Sequence, residues 1–303
     1  MEIHYSFDEN YKILNPVVTI GTFDGVHAGH RAILKRLKVL SEKVNGESVL
    51  ITFYPHPRKV LYPDTLGKNL KMICTQNEKI HLLQETKLDH LFIIHFTYEF
   101  SKVSAEQFVR NFLVNKLHAK VIVVGFNHHF GYDKQGDYQY LYEMKDYFGF
   151  MVEEIPQQEI DQETVSSTRI RQTLSQGLIQ KANAYLQSHF PFFGKVLNIE
   201  KIDKELTKII VQTDEEEKII PPTGIYAGAF QYQSQKFKCL IIIYDRQFGY
   251  LPQLEVFFQD DCKINIGENI KVYFAKELKL DDNIENINVV IEDHLEVINQ
   301  LIY

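Results

Sequence analysis

The chain has 303 residues, more than most single domains contain, so we expect two domains. Hydrophobic residues make up 45% and charged residues 24%, a composition that supports folded cores and excludes a globally disordered chain. The net charge of −7 and the lack of a lysine- or arginine-rich run argue against bulk binding to nucleic acid or to a membrane surface, but not against one phosphate-bearing small molecule.

Neither the N-terminus nor the cysteines indicate export. The first residues, MEIHYSFDENYKI, show no basic start followed by an apolar core, and no apolar run approaches the roughly 20 residues of a membrane helix. Cys74, Cys239 and Cys262 are scattered without paired spacing, which favours buried or idle thiols over a metal site or a redox pair. We therefore expect a cytoplasmic protein.

The first 190 residues alternate short apolar runs with segments of helical period. The runs PVVTI, SVLITF, HLFIIHF, KVIVVGF and FMVEEI are typical of buried parallel strands. An apolar helical stripe covers residues 33–44, and others cover 76–86, 104–117 and 138–148. The alternation predicts an α/β domain over residues 1–190, an open parallel sheet with helices on both faces that binds its ligand at the carboxyl ends of the strands.

The pattern changes at about residue 192, where strand-like runs follow one another. They are GKVLNIEKI, LTKIIVQT, GIYAGAFQY, KFKCLIIIY, PQLEVFFQD and NIKVYFAKEL, separated by turn or polar residues. We predict a second domain over residues 191–303, a small antiparallel barrel or sandwich, with a C-terminal helix over residues 283–302 packed on it.

The stretch GTFDGVHAGH, residues 21–30, follows the first predicted strand directly. His27 and His30 are three apart, so at a helix start their side chains share one face. The first turn of a helix offers unpaired N–H groups to an anion, and Gly25 and Gly29 remove side chains that would hold a phosphate away. The stretch thus predicts a phosphate cradle suited to nucleotidyl transfer. A pair of capping histidines and half of a metal site, with Asp24 as the local carboxylate, stay open as alternatives.

Three further segments carry polar side chains. In SSTRIR, residues 166–171, the hydroxyls suit a helix cap and the arginines a phosphate, although an ordinary cap followed by surface arginines is equally open. In TFYPHPRKV, residues 52–60, the prolines indicate a stiff loop, either a structural turn or a functional one. In GFNHHFGYDKQGD, residues 125–137, the phenylalanines favour a core, and the adjacent histidines point apart, so one of them is not expected to be a ligand.

Taken together, these segments resemble a known family. GTFDGVHAGH resembles the HxGH signature of nucleotidylyltransferases, in the form used by prokaryotic bifunctional riboflavin kinase/FAD synthetases. TFYPHPRKVL (52–61), VVGFNHHFGYDKQGD (123–137) and VSSTRIRQTL (165–174) are similar to further segments of that family, in the same order. The resemblance covers roughly residues 15–190. It implies a Rossmann-like nucleotidylyltransferase domain followed by a riboflavin kinase-like barrel.

The resemblance also implies a reaction and a set of site residues. AMP passes from ATP, which carries Mg²⁺, to FMN, giving FAD and pyrophosphate, and the protein needs no resident metal. The implied catalytic residues are His27, His30 and Arg171, of which Arg171 serves the β- and γ-phosphates. The implied ATP-binding residues are Gly21, Thr22, Phe23, Asp24, Gly25, Gly29, Asn127, Ser166, Ser167, Thr168 and Arg169. The implied flavin-binding residues are Phe53, His56, Pro57, Arg58 and Phe130.

The second half departs from the family's kinase pattern. The family's G-x-P-T-A-N stretch does not occur in this chain. The family's N-I-G-x-x-P-T-F segment is replaced here by LIIIYDRQFGYLPQ. Two segments still resemble the family's kinase domain: PPTGIYAGAF is similar to its P-x-G-V-Y-A segment, and LEVFF to its L-E-V-H segment. Glu255 falls where the family's catalytic base would lie. We therefore expect a degenerate kinase domain without kinase activity. A fully bifunctional enzyme, a related transferase with another acceptor and a non-catalytic flavin-binding regulator are the alternatives. The oligomeric state is not indicated.

Overall fold

The computed structural model describes residues 1–9, 11–244, 251–259, 262–278 and 298. The chain divides into two compact units, the first comprising Met1–Leu70 with Lys79–Val165 and the second Lys71–Glu78 with Ser166–Tyr303. The division falls at residue 165, whereas the change of sequence pattern suggested 190. Two helices between these points cause the difference, because the later of them packs against barrel strands of the second unit.

The first unit is built on a six-stranded sheet in which every neighbouring pair of strands is parallel. In chain order the strands are β1 (Glu2–His4), β2 (Val17–Ile20), β3 (Ser48–Tyr54), β4 (His90–His95), β5 (Val121–Gly125) and β6 (Met151–Ile155), and across the sheet the order is β1-β4-β3-β2-β5-β6. The five predicted strands and the α/β architecture are confirmed. The edge strand β1 was not predicted, since three residues are too short to show a pattern.

Burial explains why these strands read as continuous apolar runs. All four residues of β2 are buried, as are the first five of β3, because helices cover both faces of a parallel sheet. The helices of the first unit are α1 (Ala28–Lys43), α2 (Pro57–Leu61), α3 (Gln76–Gln84, which begins in the second unit), α4 (Ala105–Phe108), which continues into a π-helical turn (Val109–Val114), and α5 (Tyr138–Phe148). A small hairpin of β7 (Glu159–Ile160) and β8 (Glu163–Thr164) ends the unit.

The second unit is a closed six-stranded antiparallel barrel with two helices. The helices are α6 (Ser167–Ser175) and α7 (Ile179–Leu186), and the strands are β9 (Phe190–Lys201), β10 (Thr207–Gln212), β11 (Gly224–Tyr232), β12 (Gln235–Ile243), β13 (Gln253–Phe258) and β14 (Asn269–Leu278). The barrel closes in the order β10-β13-β12-β11-β14-β9. All six predicted strand runs are confirmed, and closure leaves no exposed sheet edge.

A buried ion pair ties the segment 71–78 into the second unit. Lys218 Nζ donates to Glu78 Oε2 at 2.6 Å, to the Ile73 carbonyl at 2.7 Å and to the Pro191 carbonyl at 2.7 Å, and both charged side chains are fully buried. All three ammonium protons therefore have acceptors, which a buried lysine requires.

Ile298 is helical and buried, and it joins a cluster that includes Ile225, Leu240 and Phe257. The rest of the predicted helix at 283–302 lies outside the described residues. Among the residues that the structure describes, no helix combines the length and the apolar character that a membrane crossing needs.

Candidate active site

The loop that joins β2 to α1 has an unusual backbone. Phe23, Gly25 and Val26 have positive φ angles of 48°, 85° and 43°, and such an angle is uncommon for a β-branched residue like Val26. The Gly21 amide donates to the Ile51 carbonyl at 3.0 Å, and a Cβ on Gly21 would come within 2.9 Å of the Phe23 ring. Strained backbone of this kind concentrates at functional sites, where the surrounding structure holds it in place.

The two histidines of this loop stack on each other at the start of α1. Their ring centroids lie 3.6 Å apart with 18° between the planes, so the predicted shared face is confirmed. Phe23 also stacks on His30, at 4.4 Å. His27 is the N-cap residue of α1 but its side chain makes no capping hydrogen bond, so the interpretation of the pair as capping histidines is wrong.

Gly29 has a role that the sequence analysis did not anticipate. A Cβ at this position would lie 3.3 Å from the His27 ring. Its lack of a side chain therefore lets the His27 ring lie close over the first turn of the helix. Gly25 has a φ of 85°, a backbone conformation that side chains disfavour, so the loop geometry itself requires glycine here, and its approach to a phosphate stays a prediction.

The electrostatics of the loop keep His30 neutral. Burial lowers the pKa of His30 well below 6.5, and the charges of His27 and Lys79 lower it further. His30 Nδ1 is buried and, among the described residues, has no hydrogen-bond partner. A neutral imidazole holds one N–H donor and one acceptor, so His30 can donate one hydrogen bond to a phosphate oxygen without carrying charge itself.

Lys79 is a functional candidate that the sequence analysis missed. Its buried ammonium donates to the Thr22 carbonyl at 3.2 Å, and the Thr52 hydroxyl donates to the same oxygen at 3.1 Å. A cation therefore reaches the loop from α3. Lys79 lies three and four residues before the buried Leu82 and Leu83, and a lysine on an apolar helical stripe was the available signal.

The segment TFYPHPRKV ends β3 and begins α2 rather than forming an extended loop. His56 is the N-cap of this helix, and its Nδ1 accepts a hydrogen bond from the Arg58 amide at 3.1 Å. Pro57 occupies the first helical position, where its missing N–H costs nothing. Phe53 is half-buried and packs against Phe96 at 5.5 Å. The proposed flavin contacts of these residues stay predictions.

The segment GFNHHF alternates between solvent and core. Phe126 is 58% exposed and Asn127 is exposed, whereas Phe130 is 8% exposed and packs against Phe108, so the core interpretation holds for Phe130 and is wrong for Phe126. His129 is exposed, but His128 Nε2 is buried, in agreement with the expectation that adjacent histidines point apart. Burial, with a smaller contribution from His129, lowers the pKa of His128 to about 4.

The segment SSTRIR begins α6 in the second unit, whereas the histidine loop belongs to the first. Ser166 is the N-cap, and its hydroxyl accepts from the Arg169 amide at 3.3 Å, which confirms the predicted cap. Ser167 opens the helix and Thr168 is exposed. Arg171 Nε donates to the Lys71 carbonyl at 2.7 Å. This contact orients the guanidinium and uses one of its five donors.

Glu255 lies in the middle of β13, beside Ile210 of β10 and Ile242 of β12. The neighbouring residues Leu254 and Val256 are fully buried, and Glu255, which is half-buried, faces the other way. Its carboxylate hydrogen-bonds the Tyr244 hydroxyl, and burial together with this carboxylate raises the pKa of Tyr244 to about 12. The carboxylate is therefore held in place.

Comparison with known proteins identifies two family models in order along the chain. The model of FAD synthetase matches residues 11–169, and the model of riboflavin kinase matches residues 186–300. A solved structure titled as a macrolide-efflux protein from Streptococcus pneumoniae matches with a TM-score of 0.80 over 99% of this chain and 97% of that chain. At 23% sequence identity it shows a shared fold alone.

Three curated relatives carry the name bifunctional riboflavin kinase/FMN adenylyltransferase. The protein from Haemophilus influenzae is 27% identical over 92% of both chains. The protein from Buchnera aphidicola subsp. Schizaphis graminum is 35% identical over 70% of this chain and 68% of its own, and that from Pseudomonas fluorescens is 30% identical over 73% and 70%. Since the FAD synthetase model also spans more than half of the sequence, this chain belongs to the bifunctional riboflavin kinase/FMN adenylyltransferase family.

Proposed function

We propose that this protein is an FMN adenylyltransferase, which transfers AMP from ATP to FMN and releases FAD and pyrophosphate. Membership of the family supports this activity. The observation that carries it is the stacked pair of His27 and His30 on the first turn of α1, with the buried cation Lys79 directed at the same loop. Two imidazoles, free helical N–H groups and an ammonium together make a site for polyphosphate.

The reaction needs positioning and charge stabilisation more than covalent chemistry. An oxygen of the FMN phosphate attacks the α-phosphorus of ATP, a new P–O bond forms, and the bond to pyrophosphate breaks. His27 and His30 donate hydrogen bonds to phosphate oxygens as negative charge develops, while Lys79 offsets that charge through its proximity. Because burial keeps His30 neutral, its ring has one N–H that can donate to a phosphate oxygen and one nitrogen that can accept a hydrogen bond.

Mg²⁺ enters this proposal as the counter-ion of ATP. The loop offers imidazole nitrogens, whereas Mg²⁺ binds oxygen ligands, and the carboxylate of Asp24 is fully buried. The chain's residues here fit phosphate oxygens better than they fit the metal. The ion, once bound to ATP, neutralises phosphate charge, and no step is assigned to a protein-bound metal.

The remaining site residues are proposals that rest on the family motifs. For ATP we propose contacts from the loop residues Gly21, Thr22, Phe23, Asp24, Gly25 and Gly29, from Asn127, and from Ser166, Ser167, Thr168, Arg169 and Arg171. For the flavin we propose Phe53, His56, Pro57, Arg58 and Phe130. The exposed Phe126 is an added candidate, since an exposed aromatic ring offers an apolar face to a flat ligand.

Riboflavin phosphorylation is the second candidate function. The riboflavin kinase model matches residues 186–300, and the barrel that it describes is closed. Against it, the sequence lacks the family's G-x-P-T-A-N stretch, so we propose that kinase activity is weak or lost. Glu255, held by Tyr244, is the residue on which any such activity would depend.

One experiment separates these possibilities. The purified protein is incubated with ATP and Mg²⁺ and with either FMN or riboflavin, and products are resolved by chromatography. We expect FAD from FMN and little FMN from riboflavin. Brisk FMN formation that disappears in Glu255→Gln would establish the bifunctional enzyme instead. Phosphopantetheine and nicotinate mononucleotide serve as control acceptors, and adenylylation of either in preference to FMN would overturn the proposal.

A further inference from the structure

A second histidine pair lies at the edge of the same sheet, on the adjacent parallel strands β1 and β4. His4 is 7% exposed and His90 is 5% exposed, and His4 Nε2 lies 3.2 Å from His90 Nδ1. Glu2 Oε2 lies 4.0 Å from His4 Nε2 and 3.5 Å from His90 Nδ1. The three side chains thus bring two nitrogens and one oxygen together within 4.8 Å of one another.

The outer nitrogens of both rings also face carboxylates. Glu9 Oε2 lies 3.5 Å from His4 Nδ1, and Glu47 Oε1 lies 3.5 Å from His90 Nε2. Backbone amides hold these carboxylates: the Tyr5 amide donates to Glu9 Oε1 at 2.7 Å, and the Leu14 amide donates to Glu47 Oε2 at 2.7 Å. A carboxylate behind the outer nitrogen is the usual arrangement around a histidine that binds a metal, because it fixes the ring and makes it more basic.

Packing holds the rings in this orientation. The His4 ring stacks on Phe92 at 4.5 Å and meets the edge of Tyr11 at 5.4 Å. Neutral imidazole is the form that binds a metal. A hydrogen bond between the two ring nitrogens accounts for the 3.2 Å contact. The three carboxylates beside the rings make a negatively charged setting that favours a divalent cation.

We propose that His4, His90 and Glu2 bind one Zn²⁺ ion, with water completing the coordination. Ligand atoms about 2.0–2.2 Å from a tetrahedral zinc ion lie roughly 3.3–3.6 Å from one another. Two of the three separations here, 3.2 Å and 3.5 Å, are close to that range, and the third, from Glu2 Oε2 to His4 Nε2, is longer at 4.0 Å. His90 is the first residue of β4, whereas the loop of His27 and His30 follows the carboxyl end of β2, so the two pairs lie at opposite ends of the parallel strands. The ion would fasten the edge strand β1 to β4 rather than take part in adenylyl transfer.

The test uses the full chain without a histidine tag. Protein stripped by a chelator is titrated with Zn²⁺ by calorimetry, and retained metal is measured after desalting. We expect about one zinc ion per chain and a raised unfolding midpoint, and we expect His4→Gln and His90→Gln to abolish both effects. His95→Gln, an exposed histidine at the other end of β4, is the matched control and should bind zinc as wild type does.

Two further measurements keep the proposal open to refutation if a buried variant fails to fold. Glu2 is exposed, so Glu2→Gln should fold normally and weaken zinc binding by roughly 10- to 100-fold. Cobalt should give the visible absorption of a tetrahedral site in wild type, and the His27→Ala/His30→Ala double variant should retain it. Zinc binding that survives in His4→Gln, or that is lost in the double variant, would overturn the assignment, as would wild-type protein that binds no zinc.

Discussion

The first unit holds two close pairs of histidines whose surroundings are opposite in charge. His27 and His30 stack face to face on one helix turn, with the ammonium of Lys79 nearby. His4 and His90 come from neighbouring strands, direct nitrogens at each other and are flanked by three carboxylates. The same residue type therefore serves two ends: the first pair suits an anion and the second a cation.

The difference shows that the ligand which a pair of histidines favours depends on the groups around the two rings. Helix N–H groups and a lysine favour phosphate, whose oxygens accept hydrogen bonds. Carboxylates behind and beside the rings favour a divalent metal, which needs electron-pair donors.

Loss of His30 should have the largest effect. In His30→Ala, a preorganised donor to the phosphates is gone, so the rate of FAD formation should fall by about 10²–10³-fold, measured by chromatography with saturating FMN and ATP. FMN binding, followed by flavin fluorescence, should stay close to wild type, and so should zinc content. His95→Ala is the control for histidine removal as such. Equal turnover in wild type and His30→Ala would leave a flavin-binding regulator as the interpretation.

Removal of the positive charge of Lys79 should have the second-largest effect. Lys79→Met deletes an ammonium that donates to the Thr22 carbonyl and lies close enough to His30 to lower its pKa. If the ammonium also interacts with the phosphates of ATP, its loss should cost as much as a charged hydrogen bond, about 1.5–3 kcal/mol, so we expect the KM for ATP to rise by roughly 10- to 100-fold. Lys35→Met, an exposed lysine on α1, is the matched control. An unchanged KM in Lys79→Met, with the fold intact by circular dichroism, would remove Lys79 from the site.

Sequence patterns were enough for the fold and for one of the two pairs. Buried strands are continuous apolar runs, and barrel strands are separated by turn residues. Both kinds of strand could therefore be predicted from short stretches of sequence. His27 and His30 are three residues apart, and helix geometry alone puts them on one face.

The other pair and Lys79 could not be predicted in this way. His4 and His90 are 86 residues apart and meet only because β1 pairs with β4, and β1 is too short to show a strand pattern. Lys79 reaches the loop only through the packing of α3. A lysine on an apolar stripe was visible, but nothing in the sequence indicated what it would contact. Long-range pairing and packing decide such contacts.

The two pairs should contribute differently to the loss of stability at low pH. The pKa of His30 lies well below 6.5, so the unfolded chain takes up protons there before the folded one, and stability is full above about pH 6.5 and falls as the pH drops below it. The pKa of His4 is lowered less, because Glu9 and Glu2 oppose the shift. In the presence of a chelator, urea midpoints should fall less between about pH 7 and about pH 5 in His30→Gln than in wild type, with a smaller change in His4→Gln. The reverse order would contradict the charge contrast.

Gly29→Ala should have the smallest effect, and it tests whether the stacked geometry matters. The new Cβ would lie 3.3 Å from the His27 ring, so the ring must move by a few tenths of an ångström while the helix gains a better helix-forming residue. Since a displacement of about 1 Å can cost 10²-fold in rate, a shift of this size should slow FAD formation by roughly threefold without loss of stability. Turnover and the urea midpoint are measured together. A stabler protein with unchanged turnover would show that the anion site tolerates a displaced His27, and the contrast between the pairs would then rest on charge alone.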